Sequence, residues 1–249
     1  MKNFNQKNYL IFAGSSTIAR DLIEKLKNLN ANVFFTSRNE ESATEIKKKY
    51  GFDFKICNDL TNFEDVEDIF KVAQEKLGVL NGVVNFSGSI LLKAAHQTSF
   101  NEYLDVINKN LTTSFAVTRG AGKYLSQDSS VVLISSVAAS MGIANHEAIA
   151  AAKSGVEGLI RAASCTYAAK NIRFNAIAPS LVDTNLSKMI TQNEMMLNAS
   201  TKMHALARIG NKQDISNACL FLLDLENSWI TGQVIKVEGG FSLKSKVKA

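Results

Sequence analysis

Proline is almost absent from this chain of 249 residues, with Pro179 the only one, so no Pro-rich linker divides it. Cysteine is nearly as sparse. Cys57, Cys165 and Cys219 are odd in number, scattered and without ligand spacing, which argues against a disulfide frame and a cysteine metal centre and reads as reduced core thiols. Long apolar runs are missing too. The stretch 148–152 is bounded by His146 and Lys153 and falls far short of the roughly 18 to 20 apolar residues that span a bilayer. Residues 1–8 are polar and Asn-rich, without the basic, apolar and small-residue layout of a signal peptide. A cytoplasmic location with no membrane partner is therefore expected. The formal net charge of +5 comes from lysines spread along the chain, clustered only at Lys47, Lys48 and Lys49 and in a basic tail at 244–249. A nucleic-acid surface needs a basic stripe with interleaved aromatics, so none is expected, and no spacing of His, Cys, Asp or Glu suggests a metal.

What the chain does have is alternation. Apolar, β-branched runs at 9–13, 32–36, 53–57, 82–85, 131–135, 172–177 and 234–237 alternate with segments of helical period at 18–29, 41–50, 63–77, 101–125, 146–170 and 212–223. That rhythm implies βαβ units and a parallel sheet covered on both faces. The expected fold is α/β: a single-domain doubly wound, Rossmann-type parallel sheet of about seven strands over 1–249, with ligands past the carboxyl ends of the strands.

The turn Ala13-Gly14-Ser15-Ser16-Thr17-Ile18 after the first strand is small enough for backbone N–H groups to approach a phosphate at a helix start. It also suits a plain strand-to-helix connection, and alone it does not choose. Ser37 and Arg38 end the second strand, with Arg38 24 residues after Gly14. An Asp or Glu there holds a ribose 2′-hydroxyl, whereas Arg accommodates the 2′-phosphate of NADP.

Further landmarks follow in order: Asp59-Leu60-Thr61, Asn85-Phe86-Ser87-Gly88, Asn110-Leu111, Ser135-Ser136, Lys153, Asn175 through Pro179-Ser180, Thr184, Thr231-Gly232-Gln233 and Glu238-Gly239-Gly240. Together they resemble the short-chain dehydrogenase/reductase family across nearly the whole chain. The resemblance implies an NADP(H) cofactor, with NAD(H) left open. It gives Asp59 and Leu60 to the adenine, Asn85, Ser87 and Gly88 to the adenosine ribose, Pro179 and Thr184 to the nicotinamide, and Lys153 to the nicotinamide ribose. It gives Ser136 to the active-site serine and Asn110 to a water in a proton relay. A homodimer or homotetramer paired through 101–125 and 146–170 is also implied, as is a substrate lid at about 181–207, rich in Met189, Met195, Met196 and Met203.

One position departs from the pattern. The family carries Tyr-x-x-x-Lys, and this chain has Ile149 four residues before Lys153. An aliphatic side chain neither gives nor takes a proton. His146, seven residues before Lys153, falls on nearly the same helix face, about 10 Å along the axis, and is the candidate donor; the tyrosine of the family's enoyl-acyl-carrier-protein reductases lies at this spacing. His146 also suits a helix cap, and a water through Asn110 is another source. His96 and His204 are weaker candidates. Two functions follow: an NADP(H)-dependent reductase of a small carbonyl or conjugated enoyl substrate, or a non-catalytic dinucleotide-binding sensor that has lost its acid.

Overall fold

The computed structural model describes residues 3–243; the basic tail expected at 244–249 lies outside them. Seven parallel strands form one sheet in the order β3-β2-β1-β4-β5-β6-β7: β1 Asn8–Phe12, β2 Asn32–Ser37, β3 Asp53–Ile56, β4 Gly82–Asn85, β5 Ser129–Ile134, β6 Ile172–Pro179 and β7 Val234–Val237. The two-residue period of a strand divides the apolar residues between two cores. Tyr9, Ile11, Val33, Phe35, Val84, Val132 and Ile177 face one side, under α1 (Thr17–Asn28), α2 (Glu40–Tyr50) and α9 (Lys212–Leu223). Leu10, Phe12, Phe34, Val83, Val131, Leu133, Phe174 and Ala176 face the other, under α3 (Phe63–Leu77), α5 (Thr113–Tyr124) and α6 (Glu147–Thr166). A sheet buried on both faces explains why its strands read as near-continuous apolar runs.

The segment expected as one helix at 101–125 is interrupted. α4 (Phe100–Ile107) and α5 are joined by a π-turn, Asn108–Thr112, that turns the wholly buried Asn110 inward. Such single-turn bulges often mark functional positions. The helix expected at 146–170 ends its α-helical part at Thr166 and finishes in a 3₁₀ turn, Ala168–Lys170. Gly155 serves packing within the chain: a Cβ there would come within 2.8 Å of Leu111.

Strand order reverses between β1 and β4, where Phe12 pairs with Asn85. The crevice past the carboxyl ends at that point is where ligands bind in open α/β sheets.

Candidate active site at the carboxyl edge of the sheet

Between β1 and α1 the chain turns at Ala13, whose φ of +54° lies in the left-handed region that costs a residue with a Cβ roughly 1–2 kcal/mol. The amides of Ala13 and Gly14 bond the Thr36 side chain (3.1 Å) and carbonyl (2.8 Å), which ties the turn to β2. Gly14 is demanded by the chain itself: a Cβ there would sit 2.7 Å from Phe35. Ser15 meets Ser37, hydroxyl to hydroxyl, at 3.0 Å. Ile18 packs toward the core beneath the turn.

Whereas Asn39, Asn62, Ser99, Asn193 and Asn211 cap their helices by side-chain hydrogen bonds, Ser16 at the start of α1 does not. Its hydroxyl is buried and without a partner among the described residues. Asn85 is in the same condition: its Oδ1 accepts from the Ser87 amide (3.0 Å) and hydroxyl (2.6 Å), while its buried Nδ2 has no partner. A third such atom, the Tyr9 hydroxyl, lies toward the other end of β1. Buried donors without acceptors are costly. Phosphate and ribose oxygens would satisfy both Ser16 and Asn85, and an uncapped helix start suits an anion. The residues therefore fit a dinucleotide. Ser15, Ser16 and Thr17 would hold its pyrophosphate, Asn85, Ser87 and Gly88 its ribose, and Lys153 the opposite ribose.

The strongest convergence is deeper. A Cβ on Gly88 would lie 3.0 Å from Asn110 Oδ1 and 3.7 Å from Lys153 Nζ, so the loop after β4, the π-turn and α6 meet at one point. Asn110 braces this loop: Nδ2 donates to the Val106 carbonyl (2.9 Å) and Ser89 Oγ (3.1 Å), and Oδ1 accepts from the Ser89 amide (3.3 Å). Its carbonyl accepts from Ser114 Oγ at 2.7 Å. Lys153 donates to the Ile134 carbonyl at 2.7 Å, and burial pushes its pKa down to about 8. Ser136, just past β5, accepts the Ala138 amide at 3.2 Å, which leaves its hydroxyl hydrogen for a ligand. Ser135 donates to Glu157 at 2.8 Å.

Ile149 is 5% exposed and packs with Val106, Ala138, Ala148 and Ala152. His146 stands at the start of α6 without capping it. Its Nδ1 donates to the Ala144 carbonyl at 2.8 Å, and no hydrogen bond joins it to Lys153. Arg38 is exposed and has no partner among the described residues. Asp59 accepts from the Thr61 hydroxyl (2.6 Å) and amide (2.8 Å), bonds that hold its carboxyl below the usual range. Leu60 packs on the second core.

Past Pro179, at the end of β6, residues 181–207 form a 3₁₀ turn (Asn185–Ser187), α7 (Lys188–Thr191) and α8 (Glu194–Met203). Thr184 opens the turn, bonding Ser187 through its amide at 3.0 Å. The Asn185 amide donates to Thr17 Oγ1 at 3.3 Å and draws this segment to the start of α1. No residue of α8 is buried, and Met189 is 78% and Met195 81% exposed, so these methionines do not pack the segment's interior. Sequence reasoning underrated His204, which is 1% exposed. Its Nδ1 donates to the Ser200 carbonyl (2.7 Å) and its Nε2 meets the Ser180 hydroxyl (2.8 Å), joining α8 to the end of β6. The signal was Ser180 itself, which stands where the family pattern has glycine.

Comparison with known proteins agrees with this geometry. The family model described as Enoyl-(Acyl carrier protein) reductase matches residues 12–242. A 3-oxoacyl-[acyl-carrier-protein] reductase of Bos taurus is 30% identical over 236 residues, 94% of this chain and 97% of its own. A tropinone reductase homolog of Arabidopsis thaliana is 28% identical over 244 residues, covering 95% and 92%. A short-chain type dehydrogenase/reductase structure from Mycobacterium ulcerans superposes with a TM-score of 0.91 at 26% identity, over 97% of this chain and 91% of that one. The chain belongs to the short-chain dehydrogenase/reductase family, oxidoreductases that work with a nicotinamide dinucleotide.

Proposed function

We propose that this protein is an NADP(H)-dependent reductase of a small carbonyl or conjugated enoyl compound, with a proton donor other than tyrosine. The observation that carries the reading is the meeting of Gly88, Asn110 and Lys153 beside two buried donors, Ser16 Oγ and Asn85 Nδ2, that a dinucleotide would satisfy. Arg38, exposed and unpartnered among the described residues at the end of β2, favours a 2′-phosphate. The names of the relatives favour a reducible carbonyl, and the family description favours an enoyl thioester as the other class.

When bound, the cofactor supplies hydride to an electrophilic carbon of the substrate. The chain's own part is positional and electrostatic. Ser136 donates its hydroxyl hydrogen to the substrate oxygen as negative charge develops there. Lys153 holds ribose hydroxyls and lends positive charge. Ile149, at the family's tyrosine position, packs in an apolar cluster and supplies no proton. His146, whose Nε2 is the ring nitrogen left after Nδ1 bonds Ala144, is a candidate acid. Residues 181–207 close over the substrate as an adaptable Met-rich cover.

The exposed apolar residues of α4 and α5, Phe100 (72%) and Phe115 (48%), favour pairing into a homodimer or homotetramer, which sedimentation would reveal. Of the three cysteines expected in the core, Cys57 and Cys219 are buried and Cys165 is exposed; all three are free, which suits a reducing, cytoplasmic compartment.

A second reading has its own support. Ile149 sits in a settled apolar cluster, as expected of a binding module that kept the cleft and lost the chemistry. A screen of NADPH oxidation over ketones, 3-oxoacyl thioesters and enoyl thioesters, run beside Ile149→Tyr, separates the two. Turnover by the natural protein supports the reductase; tight binding without turnover by either form supports the sensor.

A further inference from the structure

We propose that Lys153 is itself the acid of the reaction, its ammonium passing a proton to the substrate oxygen directly or through one water. The inference rests on the reductase reading and deepens it. An ammonium has three N–H donors, and Lys153, buried but for 6% of its surface, gives one of them to the Ile134 carbonyl at 2.7 Å and has no other acceptor among the described residues. Its amine stands 3.7 Å from where a Cβ on Gly88 would lie, a point 3.0 Å from Asn110 Oδ1. Position 149, where the family carries its tyrosine, holds an aliphatic side chain that can give no proton.

The groups around Nζ leave it free to act. The end of β5 contributes the Ile134 carbonyl and Ser135, whose hydroxyl is turned to Glu157 (2.8 Å). The loop after β4 contributes Gly88, and the π-turn contributes Asn110, whose amide is bonded to Val106 and Ser89. No carboxylate or second cation accounts for the lowered basicity, which comes from burial alone and leaves the amine titrating near 8. That value suits proton donation near neutral pH far better than the ordinary lysine value of about 10.4.

The step balances. A carbonyl carbon accepts hydride from a reduced nicotinamide dinucleotide, the C=O π bond opens, and the oxygen takes the proton from Nζ. The carbonyl becomes CH–OH and the ammonium becomes an amine, which regains its proton from water. For a conjugated enoyl substrate the hydride goes to the β-carbon and the oxygen is protonated as the enol.

Two measurements test this on the whole protein. Titration of ¹³C-labelled lysines by NMR, with Lys153→Arg for assignment, should reveal one lysine with an apparent pKa of about 8, given by burial alone. In steady-state turnover with NADPH, kcat should be level below about pH 8 and fall about tenfold per unit above it, because the ammonium is the active form. Lys153→Arg, whose guanidinium stays charged, should lose that break and at least about 100-fold in kcat at saturating NADPH. A lysine titrating only above pH 9.5, or a kcat break near the histidine value of about 6.5, overturns the assignment and leaves the reductase reading standing. Absence of turnover with every substrate class overturns both.

Discussion

Replacing Lys153 with methionine is expected to stabilise the protein near neutral pH while destroying its function. The lysine is buried, and burial alone holds its pKa at about 8, against about 10.4 in an unfolded chain. Unfolding therefore takes up a proton between those values, and stability rises with pH across that window. Below pH 8 both states carry the charge and the folded state bears the whole desolvation cost. Above about pH 10.5 neither does. A difference of about 2.5 units corresponds to about 3 kcal/mol. Methionine keeps the length without the charge, but leaves the Ile134 carbonyl without its donor, a loss of about 1 kcal/mol. Lys153→Met should thus be more stable than the natural protein by about 2 kcal/mol at pH 7 and less stable by about 1 kcal/mol at pH 11. Guanidinium unfolding curves at both pH values measure this, with titrations elsewhere in the chain cancelling between the two proteins. A variant less stable at pH 7, or a gap between the curves independent of pH, would refute the reasoning.

Other substitutions probe the turn and the lid. Ala13→Gly relieves a left-handed backbone at φ +54° and should raise stability by about 1 kcal/mol, or Tm by about 2–4 °C; an unchanged or lower Tm would remove the case for strain. Gly14→Ala forces a methyl to within 2.7 Å of Phe35 and should cost about 1–3 kcal/mol in a denaturant titration, with cofactor affinity lowered as the turn shifts. Ser180→Ala takes from His204 one of its bonds and should cost about 1–3 kcal/mol. It should also speed protease cleavage within 181–207, and unaltered cleavage would argue that His204 does not anchor that segment.

The central strands were legible because they are buried on both faces, so the apolar run at 82–85 coincides with β4. Where polar groups enter a strand the run misleads. β5 begins at Ser129, ahead of the apolar run from 131, because the hydroxyls of Ser129 and Ser130 reach the Leu80 and Leu222 carbonyls. β1 stops at Phe12, and Ala13 turns left-handed, a conformation its side chain disfavours and its context imposes. The π-turn at Asn108–Thr112 shifts the helical phase by about one residue, which the polar stretch Asn108-Lys109-Asn110 does not reveal. Among site residues, Gly88, Asn110 and Lys153 come from three distant stretches, and family likeness alone joined them before the fold did. His204 looked like one histidine among three because its partner, Ser180, lies 24 residues away.

The central claim is that a phosphorylated nicotinamide dinucleotide lies across the carboxyl edge, from the α1 start and Arg38 to Lys153. Calorimetric titration with NADPH and NADH, on the natural protein and on Arg38→Ala, tests it most directly. The account predicts NADPH binding tighter than NADH by at least about tenfold, about 1.4 kcal/mol, with most of that preference lost in Arg38→Ala. No heat of association with either dinucleotide at millimolar concentration would contradict it.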